Sequence, residues 1–508
     1  MEGALAAKEP TTFNSVLSRW TRFLVAGMVF SVAATSVLAT DYRRLRSEHL
    51  IVASRGAGGL VTIRVPEFRL GKAGRPETLD LEEYLVFAPD ARIVVHHPDG
   101  DVMMPVPTNT YFKGSLQGKP ESRVFVSVLE DGEIRGLAES AGSYWVIGGQ
   151  STAKSSRWVV ESREIEPLAE LGHDALGFEC GTDHLPTEPR GPKTVDAEMA
   201  RMASFTKAAS YTARIAVETD NEFFNLFGNA TDATNYVADV IAFGSMLYGA
   251  EVSTSWLLQD LTLWSQAQTD PWEQSNPACG LYEFGRHWND SRQDVPRTTA
   301  AFFSGKNTNS GIAWVGVLCR GGFYVNLGTS CPGLTPSIDN YGGAYAYIGG
   351  MDGNFDIDNP NVVWDIVAVT HEIGHNFRSP HTHCYEGLGG NSRAVDECYS
   401  GQCNPDYAPE CYCGGTSLPS GCPGVGNGCG TIMSYCHLLN YRMSDLSLTL
   451  GLGHPYGVEP ERVPERMFNH VSSQAMSYPG CLEYVVADSI FADDFEFGNI
   501  TAWSNTVP

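Results

Sequence analysis

Three histidines and one glutamate fall within eleven residues of this 508-residue chain, in the run HEIGHNFRSPH at 371–381. His371 and His375 are four positions apart, so on an α-helix they lie on one face. Glu372 lies beside them, and His381 follows a proline, which ends a helix and brings the third imidazole in from another direction. Three neutral nitrogen ligands with one open position are the donor set of a hydrolytic zinc site, and a neighbouring carboxylate can act as general base.

The helix that must carry this motif has its own signature in the sequence. Ile366, Val369, Ile373 and Phe377 recur at spacings of three and four residues, which predicts a buried stripe. The first two histidines lie off that stripe, towards a cleft. An Asn-Pro pair at 359–360 is typical of a helix start. A lone His-x-x-x-His is more often an ordinary pair of helix histidines, but here the glutamate and the third histidine favour a metal site.

The spacing His-Glu-x-x-His-x-x-x-x-x-His, followed further along by a methionine turn at 430–435, resembles the metzincin zinc endopeptidases and, among them, the adamalysin (reprolysin) branch. The run at 311–319 resembles the substrate-binding edge strand of that branch, which implies that Ala313 and Val315 bind an extended substrate. The resemblance covers about 211–481. It implies an α+β fold, with a mixed twisted sheet and an active-site helix in the catalytic domain.

The methionine turn carries two further candidates. The resemblance implies that Met433 forms an apolar floor under the imidazoles without binding the metal. Tyr435 follows the Met-x-Tyr pattern of the astacin and serralysin branches, where the tyrosine can bind zinc or stabilise the oxyanion. The alternative for Tyr435 is a half-buried tyrosine in a turn.

Two positions depart from the family pattern. Arg378 stands where glycine is usual, and Thr382 stands where adamalysins commonly have aspartate after the third histidine. An arginine kept in a left-handed turn would cost about 1 kcal/mol or more. The sequence therefore leaves two alternatives for Arg378, a different turn or a tolerated strain.

Composition and the N-terminus favour an exported globular protein. The net charge of −25 argues against nucleic-acid binding, which needs a basic face. Residues 1–39 resemble a signal peptide, with arginines, an apolar run and small residues before Thr40; an uncleaved anchor is the alternative. No later segment is apolar enough to cross a bilayer. We expect a secreted or periplasmic protein that acts on proteins or peptides, and the sequence carries no signature of its oligomeric state.

Thirteen cysteines in an exported chain predict disulfide bonds. Eight of them lie in 384–436, a stretch with little periodic hydrophobicity, which predicts a disulfide-rich insertion before the methionine turn. Cys411 and Cys413 could instead bind a second metal, although thiols in an oxidising compartment usually pair. The resemblance to adamalysins implies that Cys319 pairs with Cys481.

Cys180 stands apart from the other cysteines. The region 40–190 ahead of the catalytic domain is predicted to be β-rich, because 122–128 alternates as a half-buried strand and 143–147 is another strand candidate. The stretch 111–137 resembles the adamalysin pro-domain. This resemblance implies that the thiolate of Cys180 binds zinc at the fourth position and keeps the enzyme latent; the alternative is an ordinary thiol, either free or paired with another molecule.

The catalytic domain is predicted to span 211–481. Its first part has strand, helix and strand patterns at 211–217, 232–248 and 252–257, which suit a mixed sheet. Residues 264–310 are predicted to be loop-rich.

Three other segments contribute little chemistry. Residues 191–210 contain proline, glycine and scattered basic residues, as an activation linker would. Residues 352–358 space oxygen side chains two apart, as some calcium loops do, but lack the glycine and final glutamate of an EF-hand, so a solvated acidic turn is the preferred interpretation. Residues 482–508 form an acidic tail.

The sequence therefore predicts a secreted zinc endopeptidase that is made as a zymogen. One alternative is a pseudo-protease that binds zinc and proteins without cleaving them; Arg378 weakly favours it and Glu372 argues against it. A second alternative is an adhesive or structural protein that works through its disulfide-rich insertion. Zinc content distinguishes the enzyme from the adhesive protein, because only the enzyme needs a tightly bound metal.

Overall fold

The computed structural model describes residues 45–50, 52–55, 61–70, 76–140, 143–152, 157–165, 180–185, 209–308, 310–327, 331–335, 338–353, 362–406, 408–440 and 443–486. Several predicted features lie wholly or mostly outside these residues: the signal peptide, the helix start at 359–360, the linker, the calcium candidate and the acidic tail.

The first part of the chain consists of strands. They are β1 (Leu45–Leu50), β2 (Val52–Arg55), β3 (Val61–Arg69), β4 (Pro76–Tyr84), β5 (Phe87–His96), β6 (Val102–Met104), β7 (Thr110–Leu116), β8 (Lys119–Val128), β9 (Glu133–Ser140), β10 (Ser143–Thr152) and β11 (Arg157–Ile165). All except β5 and β6 form one antiparallel sheet in the order β1-β11-β10-β9-β8-β7-β4-β3-β2. The predicted β-rich character of this region is confirmed.

The strands predicted at 122–128 and 143–147 form, but the expectation that 122–128 is half-buried is wrong. Val124 and Trp145 pack in the hydrophobic core of the N-terminal sheet itself. Phe125 and Tyr144, which point to the other face, belong to the main hydrophobic core of the second half of the chain. Both faces of this sheet are therefore covered, which the alternating sequence pattern alone could not distinguish from one solvated face.

The second part of the chain is mixed. Its strands are β12 (Ala209–Thr219), β13 (Thr254–Trp264), β14 (Thr299–Ser304), β15 (Gly311–Ala313), β16 (Phe323–Asn326), β17 (Ile338–Gly342), β18 (Tyr345–Gly349) and β19 (Leu482–Val486). Its helices are α1 (Asn221–Phe227), α2 (Ala230–Glu251), α3 (Pro277–Ser291), α4 (Val362–Asn376), α5 (Cys436–Asn440) and α6 (Arg462–Ser477). None of the described helices is long and apolar enough to span a bilayer.

The sheet of the second part has the order β15-β18-β14-β12-β13-β5-β6. An eighth strand, β19, pairs with β12 but does not take a place in this linear order. The strands β18, β14, β12, β13 and β5 run parallel to one another, whereas β15, β6 and β19 are antiparallel to the strands with which they pair. The mixed α+β fold predicted from the resemblance is confirmed. No sequence pattern indicates that β5 and β6, from the first part of the chain, extend this sheet.

The prediction that 264–310 is loop-rich is wrong, because α3 and β14 lie in it. The helix starts where the side chain of Asn276 accepts a hydrogen bond from the backbone N–H of Cys279, with a proline in the first turn. Glycines within α3 obscure its pattern, and one is required: a Cβ at Gly285 would lie 1.9 Å from the carbonyl oxygen of Tyr341.

Twelve of the thirteen cysteines form disulfide bonds, and Cys180 does not. The pairing of Cys319 with Cys481 is confirmed. The eight cysteines of the insertion pair among themselves: Cys384–Cys411, Cys398–Cys436, Cys403–Cys413 and Cys422–Cys429. Cys411 and Cys413 are thus both disulfide-bonded, which contradicts the alternative of a second metal site there.

Candidate metal centre

The helix α4 presents the first part of the motif. The predicted stripe of Ile366, Val369, Ile373 and Phe377 is fully buried, which fixes the rotation of the helix about its axis. His371, His375 and Glu372 then point to one site on another side of the helix and are themselves buried. The apolar stripe thus holds the polar side chains in place.

The helix ends in a left-handed turn at Arg378. Its φ is +79°, its N–H donates to the carbonyl of His375, and the N–H of Ser379 donates to the carbonyl of Gly374. These two bonds define a Schellman motif, in which glycine is the usual residue at the left-handed position. The family's turn is therefore kept, and the strain of about 1 kcal/mol expected for arginine is tolerated.

This turn brings the third imidazole back to the helix. Nε2 of His371 lies 3.2 Å from Nε2 of His375 and 3.2 Å from Nε2 of His381. Tetrahedral zinc with nitrogen ligands at about 2.0 Å would place those nitrogens about 3.3 Å apart. The three predicted histidines are thus brought together at a spacing that suits a metal.

The other ring nitrogen of each histidine faces an oxygen. Nδ1 of His371 lies 2.7 Å from the carbonyl oxygen of Ile432, and Nδ1 of His375 lies 2.7 Å from that of Ser379. A carbonyl only accepts, so Nδ1 carries the proton in both rings and Nε2 is left with a lone pair. Burial, together with the adjacent His375 and His381, holds the pKa of His371 well below its usual range.

The ring of His381 is oriented by a residue that no sequence motif marks. The side-chain amide of Gln402 contacts Nδ1 of His381, with Nε2 at 3.0 Å and Oε1 at 3.2 Å. Gln402 belongs to the disulfide-rich insertion, between Cys398 and the Cys403–Cys413 bridge. No spacing rule links Gln402 to the motif, because the fold of the insertion alone brings the two together.

The donor set fits zinc. Unprotonated imidazole nitrogens 3.2 Å apart in a buried site repel one another unless a cation lies between them. Cys180 adds a sulfur to the same cluster: the four ligand atoms all lie within 4.8 Å of one another. Nitrogen and sulfur donors in this number are those that zinc prefers.

Cys180 lies inside the cleft. Its Sγ is 3.4 Å from Nε2 of His375 and 3.3 Å from Oε2 of Glu372, and the residue is buried. The Sγ also lies 2.9 Å from Oγ1 of Thr182. The cysteine predicted as a latency ligand therefore shares the site with the histidines and with the candidate general base.

Tyr435 holds the backbone of this cysteine. Its hydroxyl accepts from the N–H of Cys180 at 2.8 Å and donates to the carbonyl of Cys180 at 2.9 Å. The side chain is buried, so the alternative of a half-buried turn residue is wrong. The ring lies 4.3 Å, centroid to centroid, from the ring of His381.

The Met turn packs beneath the helix. A Cβ at Gly374 would lie 2.6 Å from Sδ of Met433, so the absence of a side chain in α4 allows this contact. The carbonyl of Met433 accepts from the N–H of Thr382 at 3.0 Å and from its Oγ1 at 3.2 Å. Thr382, which replaces the usual aspartate, thus ties the third histidine's segment to the turn.

The edge strand is shorter than predicted. The strand β15 ends at Ala313, and Val315 lies beyond it in an exposed bend, because Gly316 takes a φ of +70° and donates to the carbonyl of His375. The inclusion of Val315 in the strand is therefore wrong. Ala313 is buried, and its N–H donates to Oγ1 of Thr182 at 3.0 Å.

Glu372 is enclosed by this strand. A Cβ at Gly311 would lie 2.2 Å from Oε1 of Glu372, so only glycine at that position leaves room for the carboxylate. The site thus has the histidine cluster on one side of Glu372 and the edge strand on the other. Thr182 lies outside every motif of the sequence, and the run 311–319 gives no indication that Gly311 makes room for Glu372, because these contacts join segments far apart in the chain.

One comparison with known proteins, with a family model, agrees with this site. Residues 209–446 match the family model described as Metallo-peptidase family M12, a reprolysin model. A comparison with curated protein sequences found no match. This part of the chain is therefore similar to the reprolysin-like metallopeptidases.

Two solved structures show weak likeness. One is described as the crystal structure of metalloproteinase-II from Bacteroides fragilis: identity is 9%, the TM-score is 0.32, and the match covers 61% of this chain and 80% of that chain. The other is described as the structure of a chaperone–substrate complex: identity is 13%, the TM-score is 0.22, and the match covers 34% of this chain and 24% of that chain. At these TM-scores neither likeness defines the fold.

Proposed function

We propose that the protein is an exported zinc endopeptidase that is made as a latent zymogen. The observation that carries this proposal is the convergence of His371, His375 and His381 with Cys180, beside Glu372, in one buried cluster. This cluster lies largely within the segment that matches the metallopeptidase family.

The three histidines would hold the metal through Nε2. Zinc bound there supplies a Lewis acid and lowers the pKa of a bound water. Glu372 takes a proton from the attacking water while the oxygen of that water bonds to the scissile carbonyl carbon. The same carboxylate then gives the proton to the amide nitrogen as the carbon–nitrogen bond breaks. Each product therefore leaves with its atoms and charges balanced.

The substrate would lie along β15. The N–H of Ala313 already donates to an oxygen of the segment that contains Cys180, and the carbonyl of an extended peptide can take that place. Tyr435 would be released at the same time from the backbone of Cys180. Its hydroxyl then becomes available to donate to the carbonyl oxygen as that oxygen gains negative charge.

Latency would come from the segment 180–185. Its thiol lies with the metal donors, and Thr182 holds the edge strand. Leu185 is buried in a hydrophobic cluster that includes Ile312 and Trp314. The segment therefore occupies both the metal centre and the peptide-binding edge, so removing it would expose the site.

Export is supported by the cysteine chemistry. Disulfide bonds persist in oxidising compartments, and twelve cysteines are bonded here. Together with the signal-like N-terminus, this favours a secreted or periplasmic enzyme.

The experiment that tests the proposed function compares peptide hydrolysis by the processed protein and by its Glu372→Ala variant. We expect the variant to lose activity by several orders of magnitude while it keeps its zinc. Glu465→Ala, an exposed glutamate of α6, is the matched control and should stay fully active. Equal activity of the wild-type protein and Glu372→Ala would leave the pseudo-protease standing, and absence of zinc would favour the adhesive protein.

A further inference from the structure

The N-terminal unit, defined as the described residues from 45 to 165, packs directly on the peptidase segment, defined as those from 209 to 486. Phe125 and Tyr144 of the N-terminal unit belong to the same hydrophobic core as α2 and α4. Phe125 contacts Phe243 of α2 edge to face, with ring centroids 6.5 Å apart. The two parts thus share one core.

The two parts also share one sheet. The strand β5 pairs in parallel with β13, from Arg92 opposite Asp260 to His96 opposite Trp264. Ile93 is 1% exposed. Without β5, the edge of β13 would present unpaired backbone groups and apolar side chains to water, which favours aggregation.

Three arginines of the N-terminal unit pair with acidic residues of the peptidase segment whose side chains are 0% exposed. The nitrogen–oxygen distances are 2.9 Å for Arg92–Asp260, 2.5 Å for Arg123–Glu251 and 3.4 Å for Arg135–Asp239. A buried carboxylate that loses its cationic partner is strongly destabilising. Asp260 has a second cation nearby, because it also pairs with Arg292 of the peptidase segment. Among the described residues, the ion pairs of Glu251 and Asp239 are formed with arginines of the N-terminal unit.

One of these pairs is connected to the metal centre. Glu251 accepts from the N–H groups of Leu450 and Leu452 at 2.9 and 3.1 Å, and so organises the loop that follows the Met turn. The same loop donates to Tyr144 and accepts from Arg123 through the backbone of Leu448.

That loop reaches the first histidine in two steps. The carbonyl of Thr449 accepts from the N–H of Ile432 at 2.9 Å. The carbonyl of Ile432 lies 2.7 Å from Nδ1 of His371. The N-terminal unit therefore supports the residue that fixes the tautomer of a candidate zinc ligand.

We propose that the N-terminal unit is a permanent, non-covalently bound subunit of the mature enzyme and not a pro-domain that leaves on activation. Activation, which rests on the zymogen function proposed above, removes only the segment that carries Cys180, by cleavage in the connections on either side of it. The unit that remains completes the sheet, neutralises Glu251 and Asp239, and supports the loop behind the Met turn.

The test uses the full chain with recognition sequences for a specific protease inserted at 166–179 and at 186–208. After both cuts, the two large fragments should co-elute in native buffer in a one-to-one ratio and separate only in denaturant. The proposal would be overturned if the two fragments eluted separately in native buffer. It would also be overturned if the peptidase fragment precipitated and left the N-terminal unit in solution. The readout needs neither zinc nor activity, so its failure leaves the proposed protease untouched.

Substitutions test whether the ion pairs hold the complex. Arg123→Ala should raise the dissociation constant of the cut complex by roughly 100-fold or more, since it leaves Glu251 buried without its cation. Arg64→Ala, which removes an exposed ion pair with Asp80 in the same sheet, is the matched control and should change it little.

A milder variant covers the case in which Arg123→Ala does not fold. Arg92→Ala leaves Asp260 paired with Arg292, so the chain should fold and the dissociation constant should rise by about tenfold. The dissociation constant of each variant is compared with that of Arg64→Ala. If Arg92→Ala, and Arg123→Ala where it folds, gave the same value as Arg64→Ala, these ion pairs would not hold the complex together.

Discussion

The hydroxyl of Tyr435 bonds both backbone groups of Cys180, accepting from its N–H and donating to its carbonyl. One side chain of the Met turn thus holds the segment whose thiol lies among the candidate metal ligands. Since these residues are 255 positions apart, the contact exists only in the folded, unprocessed chain. In the proposed zymogen, this contact connects latency to a residue that is also proposed to serve the reaction.

Tyr435→Phe should loosen this segment. Loss of two buried hydrogen bonds costs about 1–3 kcal/mol, so the thiol of Cys180 should become about 5 to 150 times more reactive towards an alkylating reagent. Cys180 is the cysteine outside the disulfides, so labelling reports on it alone. The matched control is Tyr324→Phe, on an exposed tyrosine. An alkylation rate equal to that of the wild-type chain would show that the hydroxyl does not restrain the segment.

Cys180→Ala should activate the uncut chain. Without the sulfur donor, the fourth position opens to water, and peptide hydrolysis should rise by about tenfold or more, equivalent to at least about 1.4 kcal/mol of lost inhibitory contact. Hydrolysis by the unprocessed variant and by wild type is compared at equal zinc content. A folded, zinc-loaded Cys180→Ala chain with unchanged, negligible activity would argue against the thiol as the latency ligand.

Gln402→Ala should weaken metal binding. Residues that orient a ligating histidine typically contribute about 10- to 100-fold to metal affinity, and Gln402 orients His381. Competition with a chromophoric zinc chelator measures the change. Gln266→Ala, at an exposed glutamine, should leave the affinity as in wild type. If Gln402→Ala also kept the zinc affinity of the wild-type protein, Gln402 would not support zinc binding by His381.

Glu218 should make stability depend on pH. This buried carboxylate of β12 accepts hydrogen bonds from the indole N–H groups of Trp264 and Trp288, and burial raises its pKa from 4.5 to about 7. The folded state therefore favours the protonated form, and the stability from this group is present below pH 4.5 and lost as pH rises through about 7. Glu218→Gln removes this titration.

The difference in free energy of unfolding between the wild-type chain and Glu218→Gln should therefore change with pH. Between pH 5 and pH 8 the wild-type chain should lose up to about 3 kcal/mol relative to Glu218→Gln. Urea unfolding at both pH values measures this difference. A constant difference between the two proteins would mean that Glu218 does not titrate in this window.

Local spacing explains why the sequence predicted α4 and its ligands. The positions of His371 and His375, and of the apolar stripe, follow from the period of the helix, and the proline before His381 marks its end. The turn at Arg378 was recognised as a departure, but its φ of +79° depends on two backbone hydrogen bonds that only the fold defines.

The contacts that the sequence could not predict join distant segments. Gln402 reaches His381 because disulfide bonds shape the insertion around it, and cysteine spacing does not determine how those bonds pair. The strand β5 joins a sheet whose next strand, β13, begins at Thr254, and its alternating pattern fits either sheet equally well. Such long-range pairings decide how the two parts of the chain are assembled.

The most direct test of the central claim is zinc X-ray absorption spectroscopy on the unprocessed protein. We predict about one zinc per chain with three nitrogen neighbours and one sulfur neighbour at about 2.3 Å. In Cys180→Ser the sulfur contribution should disappear while the nitrogens remain. A protein that binds no zinc, or one whose zinc has the same neighbours in both forms, would contradict the account.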